Sequence, residues 1–297
     1  MPEKKHTKHL DVPLVRRLLK AQFPQWADLS VRPVEHDGWD NTTFRLGDDM
    51  SVRLPSHAAY EPQVMKEHEW LPKLAPQLPL PIPVSLAMGE PSEDFPLRWS
   101  VRRWVEGEIA LHAPVDDPVT LANDVSGFLT ALYAIDASGG PAAGPHSFWR
   151  GGPLSIYELE ARQAIETLGD RIDAAACTDL MDAALATTWD REPIWVHGDI
   201  APDNLVVREG RLSAVIDFGC SAVGDPACDL FMTWAFFSGP SRDAFRTALN
   251  LDDATWMRGR GWVMWKALIV LAREIETGSD DEWLCRRLMN EVLADEA

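Results

Sequence analysis

Residues 197–219 read HGDIAPDNLVVREGRLSAVIDFG, and three side chains in this run, Asp199, Asn204 and Asp217, are of the types that phosphoryl transfer requires. Moving the terminal phosphoryl group of a nucleotide asks for little covalent help. It asks for hard oxygen ligands that hold Mg²⁺ on the phosphates and for one carboxylate that aligns the attacking hydroxyl. Asn204 and Asp217 suit the first task and Asp199 suits the second. The apolar, β-branched runs 204–207 and 212–216 flank the turn-like Glu209-Gly210 pair, a pattern that predicts a short hairpin. Asn204 then opens the first strand and Asp217 closes the second, so that both could converge on one cation. The bland alternative is a polar loop and hairpin with no chemistry.

HGDxxPxN followed by DFG resembles the aminoglycoside phosphotransferase family, whose fold is similar to that of eukaryotic protein kinases. Protein kinases carry Arg before the loop Asp and a longer gap to the Asn. Here Gly198 precedes Asp199 and four residues separate it from Asn204, which matches the small-molecule branch. The resemblance implies an α+β, two-lobed protein-kinase-like fold. Residues 1–104 would form a small antiparallel-sheet lobe that binds nucleotide, and residues 105–297 a mainly helical lobe with the catalytic loop, metal ligands and acceptor site. The implied reaction moves the γ-phosphoryl group of Mg²⁺-bound ATP or GTP to a hydroxyl of a small cationic acceptor. An aminoglycoside comes first, hence an antibiotic-resistance type of activity. Relatives also phosphorylate cholines, amino-acid-like alcohols, macrolides and sugars, although macrolide-phosphorylating relatives tend to depart from the Asn and DFG pattern. A nucleotide-binding sensor without transferase activity is the alternative from another class. Intact Asp199, Asn204 and Asp217 stand against it.

The elements that must position these residues are legible in outline. Residues 12–20 read as a short helix, and 31–34, 42–46 and 51–54 as strands separated by the turn signals Asp37-Gly38 and Gly47-Asp48-Asp49. The resemblance places the first hairpin, 36–42, over the nucleotide phosphates. Gly38 permits close backbone approach, while Asn41 and Thr42 either donate to phosphate or stabilise the turn; no GxGxxG is present. The third strand puts Arg53 where kinase-like enzymes carry a phosphate-gripping lysine; a surface arginine on an edge strand is the alternative. Pro62 can sit in the first turn of a helix whose stripe of Val64, Leu71 and Leu74 includes Glu67. A carboxylate among core-facing positions needs a cation, and Arg53 is the candidate; otherwise Glu67 is an exposed helix residue. After the Pro-rich stretch 76–83, the strand 99–104 resembles the hinge strand that pairs a nucleotide base, and the lobe boundary falls near Val105.

Beyond it the pattern is helical. Leu121, Val125, Phe128, Leu129, Leu132 and Ile135 share a helix face, with Asp117 as cap and Pro118 in the first turn. Ser155 and Glu158 have capping-box spacing, and the Gly- and Pro-rich loop 139–153 precedes them. His197 either braces the loop around Asp199 or serves as a general base, and the resemblance implies that Asp229 braces the loop backbone. Asp225 meets an acceptor ammonium or serves as a cap. Trp262 and Trp265 share a helix face, where Trp265 either stacks on a sugar ring or belongs to the core.

Composition bounds the rest. The net charge of −18 argues against nucleic acid as a partner. Up to Trp104 there are 14 acids and 14 bases; the remaining 32 acids face 14 bases. An acidic second lobe would attract a cation, or the acids simply solvate helix surfaces. The most apolar stretch, 262–272, is interrupted by Lys266 and falls short of a membrane span. The basic N-terminus leads into no apolar signal core, which makes the cytoplasm the expected location. Cys177, Cys220, Cys228 and Cys285 match no disulfide framework or zinc spacing and read as small buried apolar residues. Oligomeric state is not legible.

Overall fold

The computed structural model describes residues 10–34, 38–277 and 282–295. His36 and Asp37, the start of the expected phosphate hairpin, lie outside the described residues. In chain order the elements are α1 Val12–Gln22, β1 Val31–Pro33, β2 Asn41–Leu46, β3 Met50–Pro55, α2 Glu61–Leu74, β4 Ser85–Gly89, β5 Trp99–Arg103 and β6 Glu108–Ile109. They continue as α3 Pro118–Tyr133, α4 Glu158–Leu168, α5 Ala174–Leu185, β7 Ile194–Val196, β8 Leu205–Arg208, β9 Arg211–Val215 and β10 Ala222–Gly224. The chain ends in α6 Met232–Ala235, α7 Pro240–Leu249, α8 Asp253–Thr277 and α9 Glu282–Ala294. These elements fold into two compact units. The first is Met1–Glu108 with Ser213–Gly219, and the second is Ile109–Leu212 with Cys220–Ala297.

In the first unit, a five-stranded sheet runs in the order β1-β2-β3-β5-β4, with β2 antiparallel to β1 and β3, and β5 antiparallel to β3 and β4. Period-2 patterning buries Phe44, Leu46, Val52, Leu54 and Val101 against Leu14, Val15, Leu18 and Leu19 of α1. Each such apolar side chain contributes about 1.5–3 kcal/mol when taken from water. Asp11 caps α1 by accepting the Leu14 N–H at 2.8 Å. β3 is an interior strand, so Arg53 does not sit on a sheet edge. Pro72 lies inside α2, two residues before its last, and the chain tightens into a 3-10 turn over Ala75–Gln77. β4 had no clear sequence signal: its five residues, SLAMG, include an exposed Leu86 and a register shift between Ser85 and Ala87.

In the second unit α8 packs against α4, α5 and α9, and α3 packs against α7. Asp117 caps α3 by accepting the Val119 and Thr120 N–H groups, as expected. The Ser155–Glu158 capping box does not form. Residues Leu154–Tyr157 wind as a 3-10 turn that leads straight into α4, and Tyr157 precedes that helix without a side-chain cap. β6, β8 and the start of β9 make a small sheet, β7 pairs with β10, and Glu209 and Gly210, both at positive φ, turn the β8–β9 hairpin. Asn204 ends a 3-10 turn ahead of β8 instead of opening the strand, and Asp217 lies two residues past β9. All four cysteines are buried and none is in a disulfide. Among the described residues no helix is long and apolar enough to cross a membrane.

Candidate active site

The residues singled out by sequence fall in both units. In the first unit Arg53 projects from β3 toward two carboxylates: its Nη2 is 3.5 Å from Asp217 Oδ2 and its Nη1 is 4.0 Å from Glu67 Oε1. Glu67 has a tighter partner. Arg102 of β5 grips it with two parallel hydrogen bonds, Nη1 to Oε1 at 2.9 Å and Nη2 to Oε2, so Arg102 rather than Arg53 answers the buried charge. Burial alone would raise the Glu67 carboxyl, but Arg102, with Arg53 and Lys66, holds it below the usual range. For Arg53, burial works against the charged form and is outweighed by Asp217, Glu67 and Asp40, which leaves the guanidinium held more firmly protonated.

Asp217 has φ +62, a left-handed backbone that few residues other than glycine adopt and that Asp tolerates. Its Oδ1 accepts the Gly219 N–H at 3.3 Å, and Lys66 Nζ donates to Gly219 O at 2.7 Å, tying the turn after β9 to α2. Asn41 opens β2 and is 5% exposed, and the Thr42 hydroxyl is buried without a hydrogen-bond partner. A Cβ at Gly38 would meet only Asn41 O at 3.7 Å, so this fold does not itself require glycine there.

The second unit holds Asp199 and Asn204 on the loop after β7. Asp229, fully buried, accepts the backbone N–H groups of His197 at 3.0 Å and Gly198 at 2.6 Å. Gly198 is at φ +83, and a Cβ there would lie 2.4 Å from Cys220 O, so only glycine fits ahead of Asp199. His197 Nδ1 accepts the Asp199 N–H at 3.2 Å, which leaves the ring proton on Nε2 and makes His197 a brace, as does Asp229. Burial pushes the Asp229 carboxyl up to about 7, against the backbone and Tyr133 donors that favour its ionised form. Asn204 Nδ2 donates to Asp199 O at 2.8 Å and to Asp199 Oδ2 at 3.3 Å, so its Oδ1 is the end left to accept or ligate. Lys266 Nζ lies 3.6 Å from Asp199 Oδ1. Burial would raise Asp199, yet Lys266 and then Arg150 hold it below the ordinary carboxylate value, which keeps it ionised.

Asp199 borders a cavity of about 20 Å³ that is also lined by Arg150, Phe231, Trp262, Trp265 and Lys266, all of the second unit. Trp265 forms one wall, 5% exposed, stacked on Tyr157 at 3.9 Å, with its Nε1 donating to Glu160 at 2.8 Å. Asp225 is not placed for an acceptor ammonium. Its carboxylate, buried, is bound by Arg258 at 2.7 Å and caps the turn Pro226–Leu230 through the Ala227 N–H. Sequence reading missed Arg102, Lys66, Arg150 and Arg258. For Lys266 it held a signal, a cation in the most apolar helix, that was read only as an interruption.

A strand-built unit with a buried Arg–Glu pair, and a helical unit with a braced acidic loop, define a protein-kinase-like α+β fold. The chain belongs to the phosphotransferase enzyme family, whose family model matches residues 30–262, and is thus a small-molecule phosphotransferase. Solved structures agree on the fold. The GDP and kanamycin complex of APH(2'')-IIia superposes with a TM-score of 0.72 at 21% identity, covering 94% of this chain and 98% of that one. A thermostable mutant of aminoglycoside phosphotransferase APH(4)-Ia, with ADP and hygromycin B, gives 0.65 at 19% identity over 94% and 99% of the two chains. Macrolide 2'-phosphotransferase MphH from Brachybacterium faecium gives 0.60 at 20% identity over 95% and 99%. No curated protein matches.

Proposed function

We propose that the chain moves the γ-phosphoryl group of ATP or GTP to a hydroxyl of a small molecule, with Asp199 as the base. The acceptor oxygen bonds to the γ-phosphorus while its proton passes to the Asp199 carboxylate. The bond from that phosphorus to the β,γ-bridging oxygen breaks, and its electron pair leaves with the nucleoside diphosphate. The observation that carries this reading is Asp199 itself: fixed by His197 and Asn204, kept ionised by Lys266, and bordering a cavity.

Asn204 Oδ1 and the Asp217 carboxylate are the proposed Mg²⁺ ligands. The donor chemistry fits, because Mg²⁺ takes one or two protein oxygens and completes its shell with phosphate and water. When bound, it would neutralise charge on the phosphates. Arg53, supported by Glu67, is the proposed phosphate grip, and the unpartnered Thr42 hydroxyl, with Asn41 and Gly38, a further phosphate contact. A cytoplasmic setting goes with this reading.

An aminoglycoside acceptor, with an antibiotic-resistance role, draws support from the acid surplus after Trp104 and from the kanamycin and hygromycin B named for the structural neighbours, and is opposed by the charges that line the cavity beside Asp199. A coupled assay for nucleoside diphosphate release, with aminoglycosides, choline and macrolides supplied in turn with Mg²⁺, tests the reaction. Acceptor-stimulated release is expected. Nucleotide binding without stimulated release by any acceptor would favour the sensor.

A further inference from the structure

The cavity beside Asp199 has the wrong sign for a polyamine. Its lining holds two cations, Arg150 and Lys266, against the single carboxylate of Asp199. The other acids nearby are engaged: Asp225 by Arg258, Asp229 by two backbone N–H groups, Glu160 by the Trp265 indole. An incoming ammonium would meet like charge and only the base itself.

Two residues of the same lining each carry a buried donor atom without a hydrogen-bond partner. Arg150, 5% exposed, lies within 4 Å of no carboxylate among the described residues, and its Nη1 has no hydrogen-bond partner. Its guanidinium rests 5.0 Å from the ring centres of both Trp262 and Trp265. Trp262, also 5% exposed, has its Nε1 buried without a partner. Buried guanidinium and indole N–H groups are ordinarily satisfied, and a planar fork of N–H donors matches a carboxylate or phosphate.

We infer that Arg150, with Trp262 Nε1 and Lys266, forms an oxyanion subsite for the acceptor, so that the molecule phosphorylated is a small hydroxylated acid whose anionic group lies beside the reacting hydroxyl. This rests on Asp199 being the base. Arg150 and Lys266 line the pocket together with Asp199, so an acceptor carboxylate held by the two cations would bring a neighbouring hydroxyl toward the base. The same donor chemistry would suit the transferring phosphoryl group. The acceptor is favoured because the guanidinium stands among Trp262, Trp265 and Phe231, walls suited to a carbon skeleton, while the first unit carries its own cations, Arg53 and Lys66.

The test compares matched acceptors in the diphosphate-release assay: glucuronate with glucose, gluconate with glucitol, glycerate with glycerol, and kanamycin as the cationic arm. The acids should exceed their neutral partners by about tenfold or more in kcat/KM. Arg150→Gln should remove that preference, Arg150→Lys should restore part of it, and Trp262→Phe should reduce it. Melting temperature is read alongside turnover. The acids should raise it in wild type and not in Arg150→Gln, and the absence of any acid-specific shift in wild type overturns the inference. A preference for kanamycin that Arg150→Gln leaves intact overturns it too, while phosphoryl transfer stands. Nucleotide affinity that falls in Arg150→Gln along with the acid preference would assign the guanidinium to the phosphoryl group and overturn the acceptor subsite. An acid-specific shift with no turnover on any acceptor would keep the oxyanion site and count against transfer.

Discussion

Arg53, the proposed phosphate grip, has two carboxylate neighbours that suit the shape of its guanidinium. A planar fork can address Asp217 and Glu67 from one position, 3.5 and 4.0 Å away, which a single ammonium does less well. If this fork grips phosphate, Arg53→Ala should weaken nucleotide binding by about 10- to 100-fold, the range of a lost charge-assisted bond. Calorimetric titration reads it, and unchanged affinity would remove Arg53 from the nucleotide site. Asn204→Ala should raise the Mg²⁺ concentration needed for half-maximal turnover by about tenfold or more. An unshifted Mg²⁺ dependence would reject Asn204 as a ligand. Asp199, Asn204 and Asp217 could be singled out in the sequence because the proposed chemistry asks for those residue types at that spacing. Arg150 and Arg102 stayed hidden for a physical reason. Arg102 meets Glu67, and Arg150 meets the rings of Trp262 and Trp265, across long stretches of chain, and an arginine in a loop or on a strand carries no mark of being buried.

At the scale of elements, hydrophobic periodicity marked the helices and strands whose cores it builds, α1, α3 and β1–β3, whereas β4 escaped because its side chains are half exposed and its register slips. Glu67 was expected on the buried stripe of α2 and is there, but the cation that neutralises it comes from β5, an assignment that needs the sheet order. Removing one partner of this pair strands a buried charge. Glu67→Ala should therefore cost about 3–5 kcal/mol in denaturant unfolding, and Glu67→Met with Arg102→Met should recover most of it. A single variant as stable as wild type would contradict the pairing. Asp229 makes a pH prediction. With its folded pKa raised to about 7, its stabilising contribution is complete below its unfolded value and is lost as pH rises through 7. Wild-type stability should fall between pH 5 and pH 8 by an amount missing from Asp229→Asn, and parallel pH profiles of the two proteins would contradict it.

For the whole molecule, net charge proved a poor guide to the cavity. Some of the 32 acids after Trp104 are spent in surface pairs, as Asp124 with Arg211, Asp182 with Arg162 and Glu291 with Arg242. Beyond a Debye length of about 8 Å their field is screened, so the groups within reach of a bound acceptor decide its sign. The central claim is that the chain is a phosphotransferase whose base is Asp199, and the Asp199→Asn variant tests it most directly through acceptor-stimulated diphosphate release measured alongside nucleotide affinity. Turnover should fall by about 10²–10⁴-fold while nucleotide affinity is largely kept; near-wild-type turnover in the amide variant would contradict the account.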